Sequence, residues 1–315
     1  MTCPGETPDR IPLGISACLL GEPVRYDGGH KRQDFIVERL GPYVAFVPCC
    51  PETAIGMGVP RPPLRLQRTA RGVRARGVED PSRDFTEALA ACARQTAARQ
   101  RQICGYVFKS RSPSCGLHDV EIYHEQTLST RGSGIYARAL RQALPALPVE
   151  DEVGLMDPQR RRRFLERVVF YSRWRRLQSE GMGMGDLVDF HRRLECTVLS
   201  RSQAGWQELE ALMARADSTE PGSLAQRYVQ SLMRVLAEPD TGAGHAAVLY
   251  RLLGEVESRL GPGETEALDA AIGACREGRG SCLEPRKQLR SLLRPTPAER
   301  WARQYYLNPH PLEGV

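Results

Sequence analysis

No stretch of this chain is apolar for long enough to span a membrane, and its start, MTCPGETPDR, lacks the pattern of a secretory signal. These absences lead to the expectation of a cytoplasmic protein with no membrane partner. Lysine is nearly missing as well: Lys31, Lys109 and Lys287 are the three lysines among 44 basic residues. Such a bias often reflects a GC-rich genome and carries no mechanism by itself. There is no CxxC and no HxxxH pair, which weakens a structural zinc site, because zinc usually recruits its ligands in close pairs. The full dinucleotide-binding fingerprint is also absent, and there is no internal repeat or low-complexity tract.

What is present is ordinary for a globular protein: 41% hydrophobic and 26% charged residues. A length of 315 residues favours two domains. The formal net charge of +6 permits an anionic partner without demanding one. Ten cysteines in a reducing compartment do not read as a disulfide framework, so they are expected to be free, metal-bound or catalytic.

Three of them stand out. Cys18, Cys50 and Cys115 lie in PLGISACLLG, YVAFVPCCPE and VFKSRSPSCG, where a short apolar run gives way to a loop rich in Gly or Pro. Such runs read as buried strands. In a parallel sheet their carboxyl ends share one edge, where open α/β folds bind ligands. Thiols 32 and 65 residues apart in sequence would then converge around a metal cluster held at three corners and open at the fourth. The competing reading is that each cysteine is a small apolar core residue. Cys49 adjoins Cys50 too closely for both to bind one zinc comfortably, and Cys275 and Cys282 in CREGRGSC have no second pair.

Two halves differ in pattern. Residues 1–150 alternate strand (11–17, 43–47, 104–108, 120–123) with helix (84–100, 135–144), which argues for an α/β fold with a largely parallel sheet. Within it, 60–63 and 69–77 read as loops, and the proline-bearing segment 145–158 reads as a linker. Residues 158–315 carry helical spacing throughout and form the expected all-α domain.

Other side chains have two readings each. Glu52 would place a carboxylate beside the cysteines as a general base. Asp27 in RYDGGHK is either a polar site residue or a turn former, and Ser112 either a site residue or a backbone cap. Arg25 and Arg61 could hold an anionic or carbonyl group, or be solvated loop arginines. The glycines of Gly132–Gly134 either present N–H groups at a helix start or permit close packing there.

Together, ISACLLGEPVRYDGGHK, PCCPETAIGMGVPRPP, SRSPSCG and RGSGIYARAL resemble the signature blocks of the thiouracil desulfidases, in the family's order and across nearly all of residues 11–145. The remainder, on FHRRL (190–194) and YLNPHP, resembles an uncharacterised helical domain often fused to them. The first resemblance implies a Rossmann-like domain with a [4Fe-4S] cluster on Cys18, Cys50 and Cys115, Cys50 being preferred to Cys49 because it stands directly before Pro-Glu. It further implies conversion of thiouracil to uracil and hydrogen sulfide without net redox change, with Glu52 and Ser112 in proton transfer and substrate positioning. Arg25, Asp27 and Arg61 are the expected substrate contacts. Thr53-Ala54 and Met57 depart from the family's pattern and bear on substrate preference.

Two rival functions are a cluster- or metal-binding sensor whose helical domain recruits a partner, and an enzyme acting on thiolated nucleotides in RNA. The arginines at 160–163 and 173–176, with Phe170 and Trp174 interleaved, suit the latter, although a solvated basic helix face is the favoured reading. For His191, a hydrogen-bonded helix residue is the commoner case than a ligand.

Overall fold

The computed structural model describes residues 10–124, 127–216, 221–293 and 299–315; the start of the chain before Arg10 lies outside the described residues. Among the described residues no helix is long and apolar enough to cross a membrane. The chain divides into two compact units, Met1–Arg175 with Pro311–Val315, and Arg176–His310.

The first unit contains β1 (Ile11–Ser16), β2 (Val44–Cys49), the single turn α1 (Pro51–Ala54), β3 (Leu64–Thr69), β4 (Gly72–Gly77), α2 (Thr86–Arg99), β5 (Tyr106–Phe108), β6 (Val120–His124), β7 (Thr127–Gly132), α3 (Ile135–Ala143), β8 (Val149–Asp151) and the start of α4 (Pro158–Ser179). Strands β2-β1-β5-β8, in that order, form a sheet whose pairs are all parallel. Parallel strands are covered on both faces, and Leu13, Ile15, Tyr106, Val107 and Phe108 are accordingly buried without alternation. The chain moves from β1 outward to β2 and then returns to the other side of β1 with β5. That reversal opens a crevice at the carboxyl ends of β1 and β5.

A second sheet, β4-β3-β6-β7, corrects part of the sequence reading. The stretch 69–77, expected to be a loop, is half of a hairpin in which Leu66 and Ala75 face a core with Leu89, Val120, Ile122 and Ile135. Arginine at every second position hides the strand, because only one face is buried. Strand β8 likewise lies inside the segment read as a linker.

The second unit takes the end of α4 and then α5 (Met184–Leu199), α6 (Gln203–Met213), α7 (Pro221–Val235), α8 (Gly242–Gly254), α9 (Pro262–Arg276), α10 (Leu283–Leu293) and α11 (Glu299–Ala302). No strand occurs there among the described residues, as the helical spacing predicts. Leu249, Leu252, Ile272, Leu289 and Leu293 centre its core. Ser202 and Thr241 cap α6 and α8 by accepting the N–H groups of Gly205 and Gly244. The buried Gln304, two residues before YLNPHP, packs on α5: its amide donates to the Arg192 carbonyl within FHRRL (2.7 Å) and accepts from the Cys196 N–H (3.0 Å). Cys275 and Cys282, expected to be free or ligating, are instead joined in a disulfide, because the turn between them brings their Cα atoms to 5.0 Å.

His191 lies flat on the Trp206 ring, centroids 4.4 Å apart, and its Nδ1 is 2.9 Å from the Tyr228 hydroxyl. Burial, aided by the neighbouring Arg192 charge, pushes its pKa down from 6.5 to about 4. Below pH 6.5 the unfolded chain therefore takes a proton that the folded chain refuses, so stability falls as pH drops from 6.5 towards 4. The wild-type chain should lose up to about 3 kcal/mol more than a His191→Gln variant across that window. Urea midpoints measured at both ends of the window check this; parallel losses in the two proteins would refute it.

Candidate functional site

Cys18 sits in the 3-10 turn directly after β1, Cys50 at the cap position of α1 directly after β2, and Cys115 in the loop after β5. The adjacency of these three parallel strands thus delivers the thiols to one edge of the sheet. Cys18, Arg25, Cys50, Glu52, Arg61, Ser112 and Cys115 all line one cavity of about 320 Å³, at the low end of small-ligand sites. Asp27 does not line it: its carboxylate accepts the Gly29 N–H (3.0 Å) and lies 3.4 Å from Arg25, which is a turn-forming geometry.

The thiols sense one another. Burial, then the Cys50 charge, pushes Cys18 up to about 11, against the lowering influence of Lys109 and Arg25. Cys115 is raised well above the ordinary thiol range by burial, then by Cys50 and Glu52, while the Ser16 hydroxyl opposes this with a hydrogen bond. Among the described residues no three His, Cys, Asp or Glu side chains come together closely enough to hold one metal ion. The three cysteines do line the same cavity, where a polynuclear group would take one thiolate per corner. Such a group brings the positive charge that isolated buried thiols lack.

Adjacent cysteines point opposite ways, as strand alternation requires. The Cys50 thiol reaches the Val24 carbonyl (3.7 Å) and lies 4.0 Å from the Arg61 guanidinium. Cys49 instead accepts the Tyr136 hydroxyl (3.6 Å). A hydrogen bond from Cys92, outweighing burial, lowers the Cys49 pKa to about 7.

Glu52 is held on both oxygens. Its Oε2 accepts from Arg61 Nε (2.8 Å) and lies 2.7 Å from Arg61 Nη2 in an ion pair, and its Oε1 accepts from the Ser114 hydroxyl (2.8 Å). A carboxylate has about four acceptor sites, so one remains on Oε1. Arg61 is itself buried and also donates to the Gly58 and Val24 carbonyls. Ser112 lines the cavity, yet its oxygen accepts the Ser114 and Cys115 N–H groups (3.2 and 3.1 Å), fixing the Cys115 loop.

Three polar residues at or beside this cavity do not stand out in the sequence. Ser114 holds Glu52. Lys109 and Glu152, from the ends of β5 and β8, form an ion pair at 2.5 Å between a half-buried lysine and a buried carboxylate, and Glu152 also accepts the Ser110 N–H and hydroxyl. The available signal was the position of Lys109 at a strand end and the run Glu150–Glu152, each legible only once β8 is known to be a strand.

The glycines before α3 act in packing. A Cβ on Gly134 would stand 2.5 Å from the Ser114 carbonyl oxygen and 2.9 Å from the Cys115 nitrogen. This closeness lets Ala137 N–H donate to the Ser114 carbonyl (3.2 Å) and Ile135 N–H to that of Pro113 (3.1 Å), so the start of α3 clamps the cysteine loop.

Residues 13–152 match the 2-thiouracil desulfurase family, and residues 196–311 match a family described as a protein of unknown function (DUF1722). The chain is 32% identical over 143 residues to the uncharacterized protein YbbK of Bacillus subtilis (strain 168), covering 41% of this chain and 89% of that one. It is 24% identical over 119 residues to the uncharacterized protein YbgA of Escherichia coli (strain K12), covering 38% and 70%. Among solved structures it is similar to a [4Fe-4S]-dependent thiouracil desulfidase, TudS, at 29% identity, with a TM-score of 0.39 over 47% of this chain and 95% of that one.

Gly134→Ala should destabilise the first unit by about 1–3 kcal/mol through overpacking and open the buried Cys115 to alkylation. Urea unfolding and mass spectrometry after iodoacetamide treatment check both effects. An unchanged midpoint with Cys115 still protected would refute the clamp.

Proposed function

We propose, from the premise that this chain belongs to the 2-thiouracil desulfurase family, that it removes sulfur from thiolated pyrimidines, converting thiouracil and water to uracil and hydrogen sulfide. The observation that carries this reading is the arrival of Cys18, Cys50 and Cys115 in one cavity with the fixed carboxylate of Glu52 beside them. No electrons are gained or lost overall: a carbon–sulfur double bond is exchanged for a carbon–oxygen one, and the two protons of water leave with the sulfur.

Cys18, Cys50 and Cys115 would hold a [4Fe-4S] cluster, whose open iron supplies a soft Lewis acid suited to thiocarbonyl sulfur. The chain's own residues do the rest. Glu52, with its one remaining acceptor site, orients the attacking water and takes its proton. Arg61 and Ser114 fix the plane of that carboxylate, and Ser112 fixes the loop that carries Cys115. Arg25 stands at the cavity wall as a donor to the pyrimidine carbonyl.

The rival reading, a thiolated nucleotide carried in RNA, gains no charge argument from the neighbouring cavity of about 830 Å³, whose Arg65, Arg111 and Arg131 are matched by Asp119, Glu121 and Asp151. RNA as substrate would show as tight binding that weakens steeply with added salt.

Anaerobic reconstitution should load about four irons per chain, with matching acid-labile sulfide, and Cys18→Ala, Cys50→Ala and Cys115→Ala should each lose them. Glu52→Gln should keep its iron while sulfide release falls by roughly 10²–10⁴-fold. Zinc alone, or iron indifferent to these cysteines, would overturn the cluster; full turnover in Glu52→Gln would remove Glu52 from the chemistry.

A further inference from the structure

One large aromatic side chain stands where core packing does not account for it. Tyr26 is 43% exposed, yet it lines the cavity that holds the three cysteines, and it is the one aromatic among the described lining residues. The rest of the wall near it is aliphatic or charged: Val24, Pro63, Leu64, Arg25 and Lys31. A planar heterocycle entering this cavity meets no other ring.

The main chain under Tyr26 is fixed. Its carbonyl accepts the Arg61 N–H (2.9 Å), and the turn that carries it is closed by Gly28 N–H to the Arg25 carbonyl (3.0 Å) and Arg25 N–H to the Gly29 carbonyl (3.2 Å). Arg61 is also the residue that holds Glu52, so the ring and the carboxylate hang from one anchor. The Arg25 guanidinium lies 5.4 Å from the Tyr26 ring centroid, within cation–π range, which limits the ring's freedom before any ligand arrives. An exposed aromatic already held by its backbone and by a stacked cation loses little entropy on taking up a partner.

We propose that Tyr26 is the face on which the substrate ring stacks, making the site selective for planar aromatic thiocarbonyl rings over saturated ones. This rests on the desulfidase reading above and adds to it a residue for the ring, where the cysteines and Glu52 address only the sulfur and the carbon. Tyr26 is a binding residue: its contribution falls on affinity, and the ring rather than the hydroxyl supplies it. Base stacking on a protein aromatic changes affinity by roughly 5- to 100-fold on removal of the ring.

The test uses the full, anaerobically reconstituted chain and a probe that does not turn over. Uracil and 5,6-dihydrouracil carry the same N–H and carbonyl groups, but the second is puckered and not aromatic. By calorimetry the wild type should bind uracil roughly tenfold tighter than dihydrouracil. Tyr26→Ala should erase that preference and Tyr26→Phe should keep it, with iron content equal in all three. In turnover, Tyr26→Ala should raise KM for thiouracil by a similar factor while kcat changes little. Undiminished ring preference in Tyr26→Ala would overturn the stacking role alone. A wild type that binds neither ring and releases no sulfide from thiouracil would overturn the desulfidase reading, and the stacking role with it.

Discussion

Arg61 joins the loops that make the cavity mouth. Its side chain donates to Glu52, to the Gly58 carbonyl and to the Val24 carbonyl, and its own N–H donates to Tyr26. One buried guanidinium thereby fixes the loop after β1 against the turn after β2. Removing one partner of such a pair costs about 3–5 kcal/mol, since it strands a charge away from water. The planar fork matters as much as the charge. Lysine, with a single nitrogen, could not reach Glu52 Oε2 and the Gly58 and Val24 carbonyls in this fork arrangement, so this position is not interchangeable with the other basic residue.

The parallel sheet supplies the second constraint. Because β2, β1, β5 and β8 run the same way, everything that follows them in sequence collects at one edge: Cys18, Cys50, Cys115, and then Glu152. Collecting thiols there has an electrostatic cost. Burial disfavours each thiolate and the neighbouring thiolate adds to the effect, so the Cys18 and Cys115 pKa values are raised even with Lys109 and Arg25 beside Cys18. A site built this way is unfavourable for bare thiolates and favourable for thiolates that share a metal–sulfide group. The same logic separates Cys49 from its neighbour, since its sulfur lies among the hydroxyl of Tyr136 and the thiol of Cys92.

How much of this was legible in the sequence follows from where each interaction's partners lie. Strands β1, β2 and β5 are short apolar runs that give way to loops bearing Gly, Pro or Ser, so their cysteines could be read as converging, although β2, at the sheet edge, is buried only at Val44. The helices of the second unit are equally plain, because apolar spacing of 3.6 leaves few alternatives. The hairpin β3–β4 was hidden by arginines on its exposed face, and β8 by its length of three residues and its acidic composition. Ser114 and Glu152 were illegible for a different reason. Their partners, Glu52 and Lys109, stand 62 and 43 residues away, and nothing local to either residue signals the pairing. Asp27 shows the reverse case, where local chemistry was a sufficient guide: Asp-Gly made a turn.

The scarcity of lysine acquires meaning at this edge. Two of the chain's three lysines, Lys31 and Lys109, line the one cavity in which the cysteines meet. The Lys109 ammonium is bound by Glu152 Oε1 (2.5 Å), the Ser110 hydroxyl (3.1 Å) and the Ser110 carbonyl (3.1 Å). Three donors pointing from a single nitrogen match three acceptors on two residues, a fit that the five N–H groups of a flat guanidinium would not reproduce at this half-buried position. In a chain where arginine is the default cation, a lysine persists here because geometry excludes the alternative. The compact charge it leaves beside Cys18 lowers that thiol's pKa against burial. A Lys109→Arg chain would keep the formal charge and lose the fit, which is why charge counting alone could not have found this residue.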